Sequence, residues 1–182
     1  ACLFVSCDSD DVVNNQILPE ADPFDLLLGE QVGTDNLFAI DFFKTTCESA
    51  TDAHVFVSPF SVSMALNMTL NGAMGETEKE MLEALRASDY SIDQINEYSQ
   101  TLREALLAVD PSTELTIANS IWHRNTLPLE NDFISVNQRR YNAEVKALDF
   151  SSPDALTQIN NWYAKQTDDK IKEIIEEISG GL

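Results

Sequence analysis

Val55-Phe56-Val57-Ser58-Pro59-Phe60-Ser61-Val62-Ser63-Met64-Ala65-Leu66 is the stretch on which the reading of this chain turns. The β-branched and aromatic residues of 53–58 predict a short buried strand. Pro59 ends it, because proline brings no N–H to a ladder. From 60 to 71 the residues Met64, Ala65, Leu66, Met68 and Leu70 leave almost no polar face. Such a helix is predicted to be central and buried, and Gly72 stops it. Asn67-Met68-Thr69 matches a glycosylation sequon, but inside a buried helix the match is read as chance.

Working outward, the remaining elements follow from period and caps. Residues 34–50 predict a helix with Ile40, Phe43 and Cys47 on its inward face. Cys47 is read there as a small buried hydrophobe. Thr77-Glu78-Lys79-Glu80 reads as a capping box opening a short helix with Met81, Leu82 and Leu85 inward. Ser91-Ile92-Asp93-Gln94 reads as a second box, opening a helix with Ile92, Ile95, Leu102, Leu106 and Val109 on one stripe and Asp110-Pro111 at its end. Residues 113–124 alternate as a strand, with Leu115, Ile117 and Ile121 opposite Ala118 and Trp122. A helix from about Pro128 carries Leu129, Phe133 and Val136, and 143–150 form a second strand. Ser151-Ser152-Pro153 opens a last helix over 152–178, marked by Leu156, Ile159, Tyr163, Ile171, Ile174 and Ile178, with Gly180-Gly181 at its end. Strand, helix, strand from 113 to 150 implies a right-handed parallel crossover. Two parallel strands leave their outer edges unsatisfied, so the pattern predicts that sheet partners lie elsewhere, beyond the C-terminus of this chain.

Composition bounds the function. The 182 residues hold 31 acidic and 11 basic side chains, a net charge of −20, with 43% apolar residues. That size and apolar content fit one domain with a real core, or a large piece of a bigger one. The charge excludes an electrostatic nucleic-acid binder and argues against heparin or anionic lipid as a charge-bound partner. No apolar run is long enough to span a bilayer. Ala1-Cys2-Leu3-Phe4-Val5-Ser6-Cys7 is apolar with a small residue before a cysteine, then turns abruptly acidic. Residues 1–7 resemble the tail of a bacterial lipoprotein signal peptide ending at Cys7, which would receive the lipid. Phe4 stands where such signals usually carry Leu. The alternative is an ordinary buried strand with two thiols. Residues 8–33 hold seven acidic side chains and no Lys or Arg, and read as an acidic tether.

Chemistry is sparse. There are two histidines: His54 in a predicted buried strand and His123 at the end of another, both read as structural. Ser58 lies four strand residues from His54, too far for a triad contact. No Walker A, G-x-S-x-G, H-E-x-x-H or G-x-G-x-x-G motif occurs, and no cysteine or histidine cluster has metal spacing. The acidic run 168–177, interleaved with Lys170 and Lys172, reads as a solvated helix face with i,i+4 pairs. No cofactor and no enzymatic activity are expected.

Six motifs, in order and in register, resemble the serpin family, an α+β fold. The stretch 55–66 resembles that family's strand 6B and helix B. Gly72-Ala73-Met74-Gly75-Glu76-Thr77 resembles its turn into helix C. Leu115 to Trp122 resembles strand 2A, Pro128-Leu129 with Phe133 the opening of helix E, and Tyr141 to Phe150 strand 1A. Ile159-Asn160-Asn161-Trp162 with Lys165-Gln166-Thr167 and Lys170-Ile171 resembles helix F. The resemblance covers 34–182 and identifies that span as the N-terminal part of a serpin domain, the region of helices A–F.

The resemblance implies an inhibitor of serine, and sometimes cysteine, proteases that acts as a suicide substrate. A protease attacks an exposed reactive-centre loop, forms an acyl-enzyme, and is dragged as the cleaved loop inserts as a new strand between strands 3A and 5A. It implies that Ser58, Pro59 and Ser61 belong to the shutter beneath the opening sheet, with Asn119 and Asn160 at matching structural positions. It places the reactive loop beyond Leu182, so the chain alone is expected to inhibit nothing and to fold poorly. In this family the helix at 91–109 binds glycosaminoglycan when basic. Here Arg103 stands alone against Asp93, Glu97 and Glu104, so no heparin activation is expected. An inhibitor on an outer cell surface or in a periplasm, held to the membrane only through Cys7, is the resulting expectation. A non-inhibitory binding or chaperone module on the same fold is the alternative.

Overall fold

The computed structural model describes residues 23–51, 54–110 and 112–178. Cys2 and Cys7, the acidic stretch 8–22, Pro111 and Gly180-Gly181 lie outside the described residues. Among the described residues six helices and two strands follow in the order α1 (Pro23–Ser49), α2 (Pro59–Leu70), α3 (Glu76–Ala84), α4 (Ile92–Ala108), β1 (Asn119–Arg124), α5 (Asn131–Tyr141), β2 (Ala143–Leu148) and α6 (Asp154–Gln166). β1 and β2 pair in parallel, with Asn119 opposite Ala143 and Arg124 opposite Leu148. α5 is the crossover between them, as the strand–helix–strand pattern requires.

α2 is the hub. Its Met64, Met68 and Leu70 are buried, with Met64 and Leu70 fully so. Each such side chain removed from water contributes about 1.5–3 kcal/mol. On one side Leu70 joins Phe38 of α1, Leu85, Ala87 and Ile95 of α4. On the other, Met64 and Met68 meet Tyr141 and Ala143, which fixes α5 and the start of β2. A third cluster of Leu148, Ala155 and Ile159, flanked by Trp122, Tyr163, Ile175 and Ile178, seats α6 on the sheet.

Several expectations are corrected. α1 starts at Pro23 rather than 34, within the stretch read as a tether. Its inward residues are Phe38 and Phe42, while Ile40, Phe43 and Cys47 face solvent. Both faces of α1 carry apolar residues, so periodicity alone could not say which is covered. Residues 54–58 form no strand and have no strand partner among the described residues, and His54 is exposed instead of buried. The Thr77 box does not form: Gly75, at φ +63°, is the N-cap, which puts Thr77 inside the helix where its hydroxyl caps nothing. β1 begins at Asn119, six residues later than read, and α5 begins at Asn131 rather than near Pro128.

The largest correction is the last helix, which ends at Gln166 and not at 178. Asp168 and Asp169 take positive φ values of 48° and 59°, a left-handed turn that short polar side chains tolerate. Thr167 finishes the break. Its hydroxyl donates to the Tyr163 carbonyl at 2.8 Å and accepts from the Ile171 N–H at 3.1 Å. The acidic run after it is therefore not a helix face. Among the described residues its side chains form no ion pair; the pairs are Lys79 with Glu76 and Glu83, Arg86 with Asp41, and Arg103 with Glu104.

Candidate functional site

Ser58 caps α2. Its backbone is extended at φ −114° and ψ 95°, Pro59 fills the first helical turn, and the Ser58 Oγ accepts from the Ser61 N–H at 3.3 Å. The two hydroxyls are 2.9 Å apart, a hydrogen bond in which either donates. Ser61 is buried and Ser58 half-buried, so this corner is a compact pair of exchangeable hydroxyls at the start of the hub helix. Proline here costs no helix bond, since the first-turn N–H groups lack intrahelical partners anyway.

Asn119 opens β1 and is 1% exposed. Its Nδ2 donates to the Tyr141 carbonyl at 2.8 Å, tying the first strand to the end of α5. Its Oδ1 is buried and finds no partner among the described residues. The C-cap residue Asn142, in the left-handed conformation, then turns the chain from α5 into β2.

Asn160 lies on α6 and holds the segment after it. Its Oδ1 accepts from the N–H of Ile174 at 3.0 Å and of Ile175 at 3.2 Å, while its Nδ2 donates to the Ile175 carbonyl at 2.9 Å. One residue pair away, α6 is pinned to the sheet. Trp162 meets Trp122 of β1 edge to face at 5.9 Å, and its indole N–H donates to Glu144 of β2 at 2.7 Å. Such aromatic pairs add about 0.5–1.5 kcal/mol beyond their burial. The structure therefore brings Ser58, Pro59 and Ser61 together. It sets Asn119 and Asn160 at separate anchor points, with no hydrogen bond linking the three groups among the described residues.

The sequence reading missed a buried polar seam. Asn71 and Asn96 pair through both amides: Asn96 Nδ2 donates to Asn71 Oδ1 at 2.8 Å and Asn71 Nδ2 to Asn96 Oδ1 at 3.1 Å. The Tyr141 hydroxyl donates to the same Asn96 Oδ1 at 2.6 Å, and Asn67 Nδ2 donates to Ser99 Oγ at 3.2 Å. The seam joins α2, α4 and α5. Burial pushes the Tyr141 hydroxyl up to about 12, so it stays a donor. Its one sequence signal was asparagine at inward positions of two apolar helices. Asn67, the sequon residue, is 4% exposed and spent on this seam.

The other titratable groups are structural in their contacts. His123 Nδ1 lies 3.0 Å from the Leu127 carbonyl and 3.1 Å from that of Arg124, and closes the turn after β1. Tyr98 of α4 donates to Asp35 of α1 at 2.8 Å. Burial raises the Asp35 carboxyl above its ordinary value, with the Tyr98 bond opposing. No group of three His, Cys, Asp or Glu side chains among the described residues could hold a metal, and no helix among them is long and apolar enough to cross a membrane.

Comparison with known proteins settles the family. The profile described as "Serpin (serine protease inhibitor)" matches residues 34–181. The chain belongs to the serpin family. Leukocyte elastase inhibitor of Sus scrofa is 34% identical over 149 residues, 80% of this chain and 39% of that protein. Leukocyte elastase inhibitor A of Mus musculus is 32% identical over the same length. Among solved structures, the thermophilic serpin tengpin in the latent state superposes with a TM-score of 0.73 at 29% identity, covering 91% of this chain and 43% of that one. AtSerpin1 of Arabidopsis, in its native stressed conformation, gives 0.73 at 26% identity over 84% of this chain and 39% of that one. The chain thus spans about two-fifths of the length of the serpins it matches. The helix-rich architecture with one small sheet is part of a serpin fold, as the motifs implied.

Proposed function

We propose that the intact protein inhibits serine-type endopeptidases by suicide-substrate trapping. The identity shared with leukocyte elastase inhibitors carries this reading. Its working parts, by family analogy, are a reactive loop outside this chain and a sheet that opens to accept it. This chain supplies the floor and the strap. The Ser58–Ser61 corner, with Pro59, lies beneath the opening as the shutter, where small hydroxyls can exchange partners. Asn119 holds the first strand, and Asn160 keeps α6 and the strand-forming segment after it in one unit, which must shift together when a strand inserts.

The surfaces of the chain support a larger whole. Leu37 (59% exposed), Ile40 (64%) and Phe43 (48%) line the outer face of α1, and Phe56 is 96% exposed. Contiguous apolar faces of this kind call for a partner surface. We take that surface to be the remainder of the serpin domain, and expect the 182-residue chain alone to inhibit nothing. Arg103, the sole cation of α4, has a side chain only 12% exposed, so the helix offers no cation for a sulfated polysaccharide. A lipid on Cys7, holding the protein at an outer cell surface or in a periplasm, completes the proposal. Mass spectrometry of the N-terminal peptide tests it: an acylated Cys7 supports the anchor, and an intact, unmodified 1–7 segment refutes it.

The deciding experiment incubates the full-length protein with trypsin-, elastase- and subtilisin-like proteases and resolves the products on a denaturing gel. A band at the summed mass of inhibitor and protease is expected. Clean cleavage by all three classes without such a band would overturn inhibition and favour a binding module on the same fold.

A further inference from the structure

Asn71 is followed by Gly72. In such a dipeptide the glycine nitrogen has no neighbouring Cβ to obstruct it and can reach the asparagine side-chain carbonyl. Space is tight at the glycine: a Cβ there would stand 3.1 Å from the Phe133 ring, which would have to give by a few tenths of an ångström. A chemically labile pair thus sits at the C-terminal end of α2, at the base of the seam.

In the folded chain each atom of the reaction is engaged. The Gly72 N–H donates to the Thr69 carbonyl at 3.0 Å, which keeps the nucleophile protonated and turned along the helix. The amide that would leave, Asn71 Nδ2, donates to the Asn67 carbonyl at 3.1 Å and to Asn96 Oδ1 at 3.1 Å. The carbonyl that would be attacked accepts from Asn96 Nδ2 at 2.8 Å. Asn71 itself is helical at φ −60° and ψ −17°, so its backbone holds the helical course into Gly72.

We propose that Asn71 is a self-modification site gated by the seam between α2 and α4: protected while the seam is closed, deamidating when α4 lifts away. The step needs only water. The Gly72 nitrogen gives its proton to water or hydroxide and bonds to Asn71 Cγ. The leaving nitrogen takes a proton from water, the Cγ–Nδ2 bond breaks, and ammonia departs, so that the proton lost by Gly72 is balanced by the one gained. One water then opens the succinimide at either carbonyl, leaving Asp or isoaspartate at position 71.

The product cannot restore the seam. An oxygen replaces Nδ2, so the bonds to the Asn67 carbonyl and Asn96 Oδ1 are lost and two acceptors face each other. Flipping the Asn96 amide would turn its NH₂ toward that oxygen and toward the Tyr141 hydroxyl, which can accept from it, but would then set Asn96 Oδ1 against Asn71 Oδ1, again two acceptors face to face. A half-satisfied buried network is less stable than either a complete one or none. Deamidation at Asn71 is therefore a one-way record that α4 has opened.

The test is peptide mapping by mass spectrometry of full-length protein held at neutral pH, native and in denaturant, with Tyr141→Phe in parallel. Native Asn71 is expected to deamidate about a hundredfold more slowly than denatured, corresponding to an opening free energy of ~2.8 kcal/mol at about 1.4 kcal/mol per tenfold. Tyr141→Phe keeps the fold but loosens the seam, and is expected to raise the native rate about tenfold. Equal native and denatured rates, or a native rate unmoved by Tyr141→Phe, would overturn the gating. An Asn71→Asp protein that melts with the wild type would overturn the one-way record.

Discussion

Replacing Asn160 by alanine tests how α6 holds the segment that follows it. Three hydrogen bonds vanish together, two accepted from the Ile174 and Ile175 N–H groups and one donated to the Ile175 carbonyl. A hydrogen bond of this kind contributes ~1 kcal/mol net. Ile174 is 39% exposed, so water replaces part of the loss, and the expected cost is about 2 kcal/mol, local to 167–178. Hydrogen exchange reads it directly: the Ile174 and Ile175 amides should exchange ~30-fold faster. The amides of β1 and β2 should not change, because their ladder does not involve Asn160. Asn160→Asp separates the two halves of the grip. It keeps the acceptor and places a carboxylate near the Ile175 carbonyl, so the Ile175 and Ile174 amides should lie between wild type and alanine. Unchanged exchange at both amides in Asn160→Ala would refute the grip. An equal rise throughout the sheet would mean the residue stabilises the whole domain and not the strap.

Ser58→Ala removes the N-cap of α2 and should lower stability by about 1 kcal/mol, read as a lower thermal midpoint, while Ser58→Gly costs only a few tenths. Gly72→Ala pushes a methyl against the Phe133 ring at 3.1 Å, and should destabilise by ~1 kcal/mol unless Phe133→Leu is added, which a double-mutant cycle would reveal. The hydroxyl and N–H of Ser151 hold the Asp149 carboxyl below its ordinary value. Its contribution is present above the unfolded value of about 3.9 and is lost as pH falls through the folded one. Asp35 is displaced the other way by burial, so its protonation below that raised value favours the fold and its ionisation as pH rises does not. A carboxyl-resolved NMR titration should place Asp149 below and Asp35 above the common range.

Legibility followed how local the determinant was. The Ser91 box could be read because both its halves lie within four residues, and both bonds are present: Gln94 N–H to Ser91 Oγ at 3.3 Å and Ser91 N–H to Gln94 Oε1 at 2.9 Å. The crossover over 119–148 could be read because strand and helix periods alternate there. The end of α6 could not, because Ile171, Ile174 and Ile178 continue the helical spacing past the break. What stops the helix is a two-residue left-handed turn at Asp168 and Asp169, and aspartate in a charged run looks like solvated surface. The seam was illegible for a different reason. Asn71, Asn96 and Tyr141 are far apart in sequence, and nothing in one helix announces the amide that waits on another.

α1 carries the last step. Periodicity placed Ile40, Phe43 and Cys47 inward, and the chain instead turns Phe38 and Phe42 in, stacked at 6.0 Å. Two facts anchor that choice: Arg86 reaches Asp41 with its Nη2 at 2.6 Å, and Tyr98 reaches Asp35. Both acids flank the Phe38–Phe42 face, so the polar contacts and the aromatic pair select one orientation together. The rejected stripe is as apolar as the chosen one. A helix apolar on both faces is stable only when both are covered. The same holds for Phe56 and for the unpaired segment 54–58, whose backbone groups have no ladder among the described residues. The signals that misled a one-sided reading of α1 and of that segment are thus one signal. Both are what the proposed larger serpin domain would cover, and hydrogen exchange of the α1 amides in the full-length protein against this chain reads whether it does: slower exchange in the full-length protein is expected, and equal exchange would refute the cover.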